Sequence, residues 1–154
     1  MAEFEYQNVE AWQTALRLTV AVGRLKVGSN LKASADSQAK AFEQAGLACA
    51  LIAEGAGREG GAQVGLYRDA RGALAQCRSW LHVLASLMNE QETAFANEFD
   101  LAELGSRQLT AMLRVLDRGA GMGGGPNVRP PAGRQAPPPP PRPAGSRPGP
   151  GGPR

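Results

Sequence analysis

The sequence predicts an all-α fold, an antiparallel up-down-up-down four-helix bundle followed by a disordered C-terminal tail rich in Pro, Gly and Arg. Residues 1–118 contain four segments in which apolar or small side chains recur at steps of three and four, the helical period. No segment alternates β-branched and polar residues as a strand would. All 12 prolines lie at or after Pro126 and all 14 acidic residues at or before Asp117, so we place the bundle at residues 6–118 and the tail at residues 119–154.

The first helix is predicted from about Val9 to Val27, with Asn8 as its N-cap. Asn8 is suited to this position because its side-chain oxygen can accept a hydrogen bond from a free backbone N–H of the first turn. The predicted core seam is Val9, Trp12, Leu16, Thr19 and Gly23, flanked by Ala15, Leu18, Val22 and Leu25.

The second helix is predicted to start with Ser34 or Asp36 as its cap and to close near Gly55. Its predicted core seam follows steps of four and three: Ala35, Ala39, Phe42, Gly46, Cys49, Ala53 and Ala56. Nearly every position of this seam is small, so a neighbouring helix can approach closely. Glycines at positions 55, 57, 60 and 61 then end the helix and predict a tight hairpin into the third helix.

The third helix is predicted over residues 62–89, as the longest of the four. Its predicted core seam is Tyr67, Ala70, Leu74, Cys77, Leu81, Leu84 and Met88. A second set of small residues repeats every seven positions away from that seam: Gly65, Gly72, Ser79 and Ser86. A mid-helix glycine costs about 0.5–1 kcal/mol relative to alanine, and close approach of another subunit would offset this cost. The set is therefore a candidate subunit interface, unless small residues are simply common in this alanine-rich chain.

The fourth helix is predicted to begin at a capping box, Asp100-Leu101-Ala102-Glu103, and to end at Gly119. Its predicted core positions are Leu101, Leu104, Leu109, Met112, Leu113 and Leu116. Connections of roughly 6–10 residues between the helices are typical of antiparallel neighbours.

Three motifs resemble one bacterial protein family. An aromatic residue followed by Asn-hydrophobic-x-x-Trp spans Tyr6 to Trp12, and Ile-Ala-Glu-Gly-x-Gly-Arg spans Ile52 to Arg58. A helical segment, Ala-x-Gly-small-Leu, begins at Ala70, although Gln76 stands where the family has Glu. Together they resemble the four-helix-bundle proteins encoded by intervening sequences in bacterial large-subunit ribosomal RNA genes, a family related to the accessory variability proteins of diversity-generating retroelements. The resemblance covers residues 6–118.

The resemblance implies a homopentameric ring and a non-enzymatic accessory role in association with RNA or a reverse transcriptase. Residues 1–118 carry 12 Lys and Arg against 14 Asp and Glu, a net charge of −2, whereas residues 119–154 carry five arginines and no acid. The candidate nucleic-acid-binding residues are Arg17, Arg24, Arg68, Arg71, Arg78, Arg107, Arg114, Arg118, Arg129, Arg134, Arg142, Arg147 and Arg154. Arginine stripes suit phosphate contacts, but they equally suit solubility or ion pairs with Asp69, Glu103 and Asp117.

The competing hypothesis is a structural protein–protein scaffold with no nucleic-acid role. Its ligand arm would be the tail, where Pro137-x-x-Pro140-x-Arg142 fits the pattern that polyproline-binding grooves accept. The two hypotheses differ in what the arginines do: in the first they contact phosphates, and in the second they form a solvated surface.

The residues favour no enzymatic activity, cofactor, metal site or small-molecule substrate. His82 has no metal-ligand partner at a suitable spacing, and we expect it to be solvated or at an interface. Cys49 and Cys77 are expected to lie about 10 Å apart along the hairpin, too far for a disulfide, and to act as small buried hydrophobes. An acidic N-terminus, two cysteines and no long apolar run predict a cytoplasmic protein without a membrane segment.

Overall fold

A computed structural model describes residues 5–27, 32–89 and 92–122, and in those ranges the regular structure is entirely helical. The helices are α1 (Glu10–Arg24), α2 (Lys32–Ala56), α3 (Gly60–Met88) and α4 (Ala96–Met122), with short 3₁₀ turns at Glu5–Asn8 and Glu92–Phe95. Each helix packs on the helices that precede and follow it, and α1 closes the ring against α4. The predicted up-down-up-down bundle is therefore confirmed.

The α2–α3 hairpin has the most extensive helix contact of the bundle. Gly55 is buried one residue before the end of α2, and a Cβ placed there would lie 2.5 Å from the Tyr67 ring, so only glycine fits without movement. The chain then reverses through hydrogen bonds from the Gly57 and Arg58 N–H groups to the Glu54 and Gly55 carbonyls, each 3.1 Å long. Gly60 adopts a φ of +61°, which glycine accepts without steric cost. The predicted tight hairpin is confirmed.

The core seam predicted for α3 is confirmed. Six of its seven positions, from Tyr67 to Leu84, are buried, and Met88 is half-buried. α3 begins at Gly60 and ends at Met88, and the capping residue Asn89 adopts the left-handed conformation (φ 57°) typical of a helix C-terminus. Two of the predicted α4 core residues, Leu109 and Leu113, are buried, and the remaining four are half-buried.

The core seam predicted for α2 is wrong. None of its seven residues is buried, and the large ring of Phe42 is exposed. The buried positions lie on a neighbouring face of the same helix: Ser34, Ser37, Ala41, Ala45, Ala48, Ile52 and Gly55. Small residues follow a three-four spacing on both faces, so the pattern alone could not choose between them. Contact with α3 selects the face that carries Ile52 and Gly55.

The core seam predicted for α1 is also displaced. Leu16 and Gly23 are exposed, while the buried positions are Ala11, Thr14, Ala15, Leu18 and Val22. The helix ends at Arg24, short of Val27, because Gln38 of α2 donates hydrogen bonds to the Val22 and Leu25 carbonyls at 2.9 and 2.8 Å. The Val22 carbonyl also accepts a hydrogen bond from the Leu25 N–H at 3.3 Å. The N-cap is Val9, without a side-chain capping bond, so the predicted Asn8 cap is wrong.

The capping box predicted for α4 is wrong as well. The helix starts at Ala96, so Asp100 and Glu103 lie within it and are exposed. Burial of Phe95 against Leu84 and Ala85 places the start of the helix upstream of the predicted cap. At its other end α4 continues through Gly119 to Met122. The predicted tail therefore begins inside this helix, and residues 123–154 lie outside the described residues.

Both cysteines are free thiols, and Cys77 is fully buried while Cys49 is half-buried. Burial raises the pKa of the Cys77 thiol from 9.0 to about 12. Between those two pH values the unfolded chain has lost this proton and the folded chain retains it, so rising pH favours unfolding. We expect Cys77 to lower the free energy of unfolding by about 1.4 kcal/mol per pH unit in this window.

Urea unfolding monitored by circular dichroism at a series of pH values measures this slope, and Cys77→Ala provides the comparison. The variant should lose this part of the pH dependence, although burial also raises the pKa of the Cys49 thiol and leaves some of the same trend. Equal slopes for the two proteins would contradict the expected titration of Cys77.

Candidate nucleic-acid interface

The eight candidate arginines within the bundle lie on three helices, α1, α3 and α4. α4 packs between α1 and α3, whereas α2 contacts those two helices on the opposite side of the bundle. α2 carries no arginine, and its basic residues are Lys32 and Lys40. We define the α4 face as Arg17 and Arg24 of α1, Arg68, Arg71 and Arg78 of α3, and Arg107, Arg114 and Arg118 of α4.

The α3 arginines extend across to α4. Arg78 forms an ion pair with Glu103 at 2.9 Å, Arg68 pairs with Asp117 at 3.5 Å, and Arg71 donates a hydrogen bond to the Thr110 hydroxyl at 3.4 Å. Exposed pairs of this kind contribute about 0–1 kcal/mol each. Of the three acids considered as ion-pair partners from the sequence, Glu103 and Asp117 thus pair with arginine. These pairs neutralise part of the positive charge of Arg68 and Arg78.

Arg107 and Arg114 have no ion pair among the described residues. They line a groove of about 390 Å³ along the outer side of α4, together with Glu103, Ser106 and Thr110. Arg118, one turn beyond Arg114, donates its Nε–H to the Arg114 carbonyl at 3.1 Å. Within the described part of the chain, no carboxylate holds the guanidinium group of Arg107 or Arg114, so both are available to an anionic ligand.

Arg17 and Arg24 line the groove between α1 and α4, a space of about 460 Å³ that also contacts Asn97 and Leu101. Arg17 donates a hydrogen bond to the Thr14 hydroxyl at 3.3 Å. The three helices that carry the eight arginines carry no lysine and six acids, so their net charge is +2; the acids are Glu10, Asp69, Glu98, Asp100, Glu103 and Asp117. This side of the bundle is therefore net positive, although residues 1–118 as a whole carry a charge of −2.

The five remaining candidate arginines belong to the tail and lie outside the described residues: Arg129, Arg134, Arg142, Arg147 and Arg154. Their position in the sequence still relates them to the α4 face, because α4 ends at Met122 and the tail continues from it. Six residues of the sequence, 123–128, separate Met122 from Arg129.

The candidate subunit interface on α3 points away from the core. Gly72, Ser79 and Ser86 are exposed and Gly65 is half-buried. A Cβ added at Gly65 or Gly72 meets no atom within 4 Å, so packing within the monomer does not require glycine at either position. Ser86 donates its hydroxyl hydrogen to the His82 carbonyl at 2.9 Å. These residues remain a predicted interface without a function in the monomer.

The remaining candidate sites are His82, a metal site and an apolar groove. The His82 ring is half-buried and stacks at a tilt on Phe99 of α4, with 4.6 Å between ring centroids. Among the described residues, no group of three or more His, Cys, Asp and Glu side chains is arranged to hold a metal ion. An apolar groove of about 640 Å³ lies between the start of α3 and the end of α4, lined by Val64, Val115 and Leu116, with the Arg68–Asp117 pair at its rim.

The sequence did not predict which residues are exposed on the side of the bundle where α1 and α2 meet. The seam predicted for α2 lies there instead and leaves Phe42 exposed beside Gly23 of α1, whereas the exposed Leu16 lines the groove between α1 and α4. The signal was present in the sequence, because both helices carry more heptad-spaced small and apolar residues than one core can bury.

None of the helices in the described ranges has the length and apolar character needed to cross a membrane. No family model, no curated protein and no solved structure matches this chain. The resemblance to the intervening-sequence family therefore stays a prediction drawn from three motifs, and so do the pentameric ring and the partners that it implies.

Proposed function

We propose that this chain is a non-enzymatic, self-associating accessory protein that binds RNA through the α4 face and the basic tail. The observation that carries the proposal is the concentration of eight arginines on α4 and its two neighbours, while α2 has none. Arginine recognises phosphate with a planar set of donors, and a net positive face attracts a polyanion from a distance.

The tail strengthens this proposal through its charge and its attachment. Its five arginines have no neighbouring acid in residues 119–154, and they follow directly from the helix that carries Arg107 and Arg114. Such an arm contacts phosphates and does not read base edges, so it should raise the affinity for all sequences alike. Association with a reverse transcriptase rests on the family resemblance alone and belongs to the same proposal.

The test is a salt titration of fluorescence anisotropy with a structured RNA. Each neutralised phosphate contributes about 0.7–0.9 to the slope of log affinity against log salt. Replacing the five tail arginines by glutamine should therefore flatten the slope by up to about 4 units. Replacing Arg107 and Arg114 by glutamine should flatten it by a further 1–2 units or so, because no ion pair holds either guanidinium.

The matched control is the double change Lys32→Gln and Lys40→Gln on α2, which removes the same charge from the side of the bundle opposite α4. This variant should keep the slope of the wild type. Undetectable binding at about 50 mM salt would reject RNA binding altogether. Binding lost with the tail changes but unaffected by Arg107 and Arg114 would confine the contact to the tail.

A specific observation favours the scaffold alternative as the second candidate. Arg68 and Arg78 already pair with Asp117 and Glu103, so part of the arginine stripe serves the α3–α4 contact. If Arg71→Gln and Arg78→Gln change the affinity no more than the α2 control, these two side chains are structural. Complete failure of RNA binding would leave the scaffold as the leading function.

A further inference from the structure

An apolar groove opens at the end of the bundle where α3 begins and α4 ends. Gly61 and Val64 of α3 and Val115 and Leu116 of α4 line this space of about 640 Å³. A second groove of about 260 Å³ shares Val115 and Leu116 and extends the apolar surface to Met112. We call this combined surface the α3–α4 groove. Val115 is 62% exposed, the highest value among the exposed large hydrophobics of the described ranges, and a contiguous apolar patch of this kind marks an interaction site.

Residues 123–154, which lie outside the described residues, continue the chain from this end of the bundle. α4 ends at Met122, six residues after Leu116 of the groove. Beyond Met122 the sequence contains a single large aliphatic residue, Val128, within the segment Pro-Asn-Val-Arg-Pro-Pro at positions 126–131. Glycines occupy positions 123–125, and glycine accepts the backbone conformations that reverse a chain. Chains that leave a helix frequently return an apolar residue to its last turns, so Val128 is placed to do the same here.

The length of this connection allows Val128 to reach the groove. The distance along the helix axis from Met122 back to the level of Leu116 is about 9 Å, because an α-helix rises 1.5 Å per residue. The six residues from Met122 to Val128 span up to about 20 Å when extended. The excess length accommodates the turn, so Val128 can contact Leu116 without any change in α4.

We propose that residues 126–131 turn back on α4 and dock in the α3–α4 groove, with Val128 packed against Val115. The contact removes from water the most exposed large hydrophobic side chain of the described ranges. Three of the six docking residues are prolines, whose rings fix φ and add apolar surface. The segment therefore loses less conformational entropy on docking than six ordinary residues would.

The charge at the rim and the attachment of the segment favour it over a second copy of the chain. Arg68 contacts Oδ1 of Asp117 at 3.5 Å, and Oδ2 of this half-exposed carboxylate can accept a hydrogen bond from Arg129, the residue after Val128. A segment tethered through a few residues is present at an effective concentration of about millimolar, which a second copy would have to exceed. This inference does not rest on RNA binding, because the contact lies within one chain and its centre is apolar. Residues 132–154, with four of the five tail arginines, remain free to contact RNA.

The contact is tested by a double-mutant cycle on the full chain, with thermal unfolding followed by circular dichroism at one protein concentration. Val128→Ser and Val115→Ser should each lower the unfolding midpoint by about 2–5 °C, and the double variant should lower it no further than the larger single effect. Val83→Ser, at another exposed valine, should instead add its own effect to that of Val128→Ser. Ala144→Ser, in the free part of the tail, should not change the midpoint. Additive effects of Val128→Ser and Val115→Ser, or an unchanged midpoint in Val128→Ser, would overturn the proposal.

The occupant of the groove is identified by disulfide cross-linking in a Cys49→Ala background, in which only the buried Cys77 remains. Gly61→Cys places a thiol in the groove, and the added Cβ meets no atom within 4 Å. Combined with Asn127→Cys in the same chain, it should form an intramolecular disulfide under mild oxidation. Adding Val128→Ser should slow this cross-link several-fold, although the tether keeps its length. Faster cross-linking in a mixture of the two single-cysteine proteins than within one chain would place a second copy in the groove. That result, or a rate that Val128→Ser leaves unchanged, is incompatible with the proposed docking.

Discussion

Gly55→Ala is expected to destabilise the bundle by about 1–2 kcal/mol. The new Cβ would lie 2.5 Å from Cε1 and 2.8 Å from Cδ1 of Tyr67, a ring that is almost completely buried. Forcing an extra methyl group into a packed core costs about 1–3 kcal/mol. The preference of a helix for alanine over glycine returns up to about 1 kcal/mol of that cost. Urea unfolding followed by circular dichroism measures the net change.

Two other glycines in the same bundle provide matched controls. Gly105→Ala places its Cβ 3.0 Å from Cδ1 of Leu74, the far end of a flexible side chain, so it should cost less than Gly55→Ala. Gly72→Ala meets no atom within 4 Å and should stabilise the helix by about 0.5–1 kcal/mol. Replacing Tyr67 by Leu should reduce the cost of Gly55→Ala in a double-mutant cycle. Equal stability of Gly55→Ala and the wild type would show that α2 and α3 are not this close.

Leu81→Ala is expected to have the largest effect, a loss of about 2–5 kcal/mol in the free energy of unfolding. Leu81 is fully buried on the core side of α3. Truncation removes its apolar contacts and leaves a cavity that the surrounding helices fill only in part. A variant this destabilised should still unfold cooperatively in urea, with a lower midpoint and an unchanged slope.

Leu16→Ala tests the seam predicted for α1, just as Leu81→Ala tests the seam predicted for α3. Leu16 belongs to the seam predicted for α1 but remains exposed, so its truncation should cost the monomer less than about 1 kcal/mol. Both variants should be measured at the same protein concentration, because self-association makes the apparent stability depend on concentration. Similar losses for Leu16→Ala and Leu81→Ala would contradict the exposed position of Leu16.

The sequence by itself determined the number of helices, the α2–α3 hairpin and the buried face of α3. In α3 the seam from Tyr67 to Leu84 contains no charged residue, while the charged residues Arg68, Asp69, Arg71 and Arg78 lie on the remaining surface. Only one face of α3 can be buried without burying charge, so the periodicity predicts a single buried face. The glycines between Gly55 and Gly61 likewise leave little choice, since they end one helix and allow the next to begin at once.

Only the tertiary structure decided which faces of α1 and α2 are buried and where α4 begins. Small residues on α2 follow the same spacing on two faces, so local pattern is degenerate, and contact between Gly55 and Tyr67 selects one of them. At the start of α4, a capping box contributes about 1 kcal/mol, whereas burying the Phe95 side chain contributes about 1.5–3 kcal/mol.

The same distinction applies to the α4 face. The spacing of arginines at 100° per residue shows which of them share a stripe on one helix, and this was available from the sequence. Which stripes come together depends on which helices are neighbours, and the ring order of the bundle places α4 between α1 and α3. Ion pairs such as Arg78–Glu103 join residues 25 positions apart in the chain. A local sequence pattern does not predict contacts between residues so far apart in the chain, because the packing of the whole core determines them.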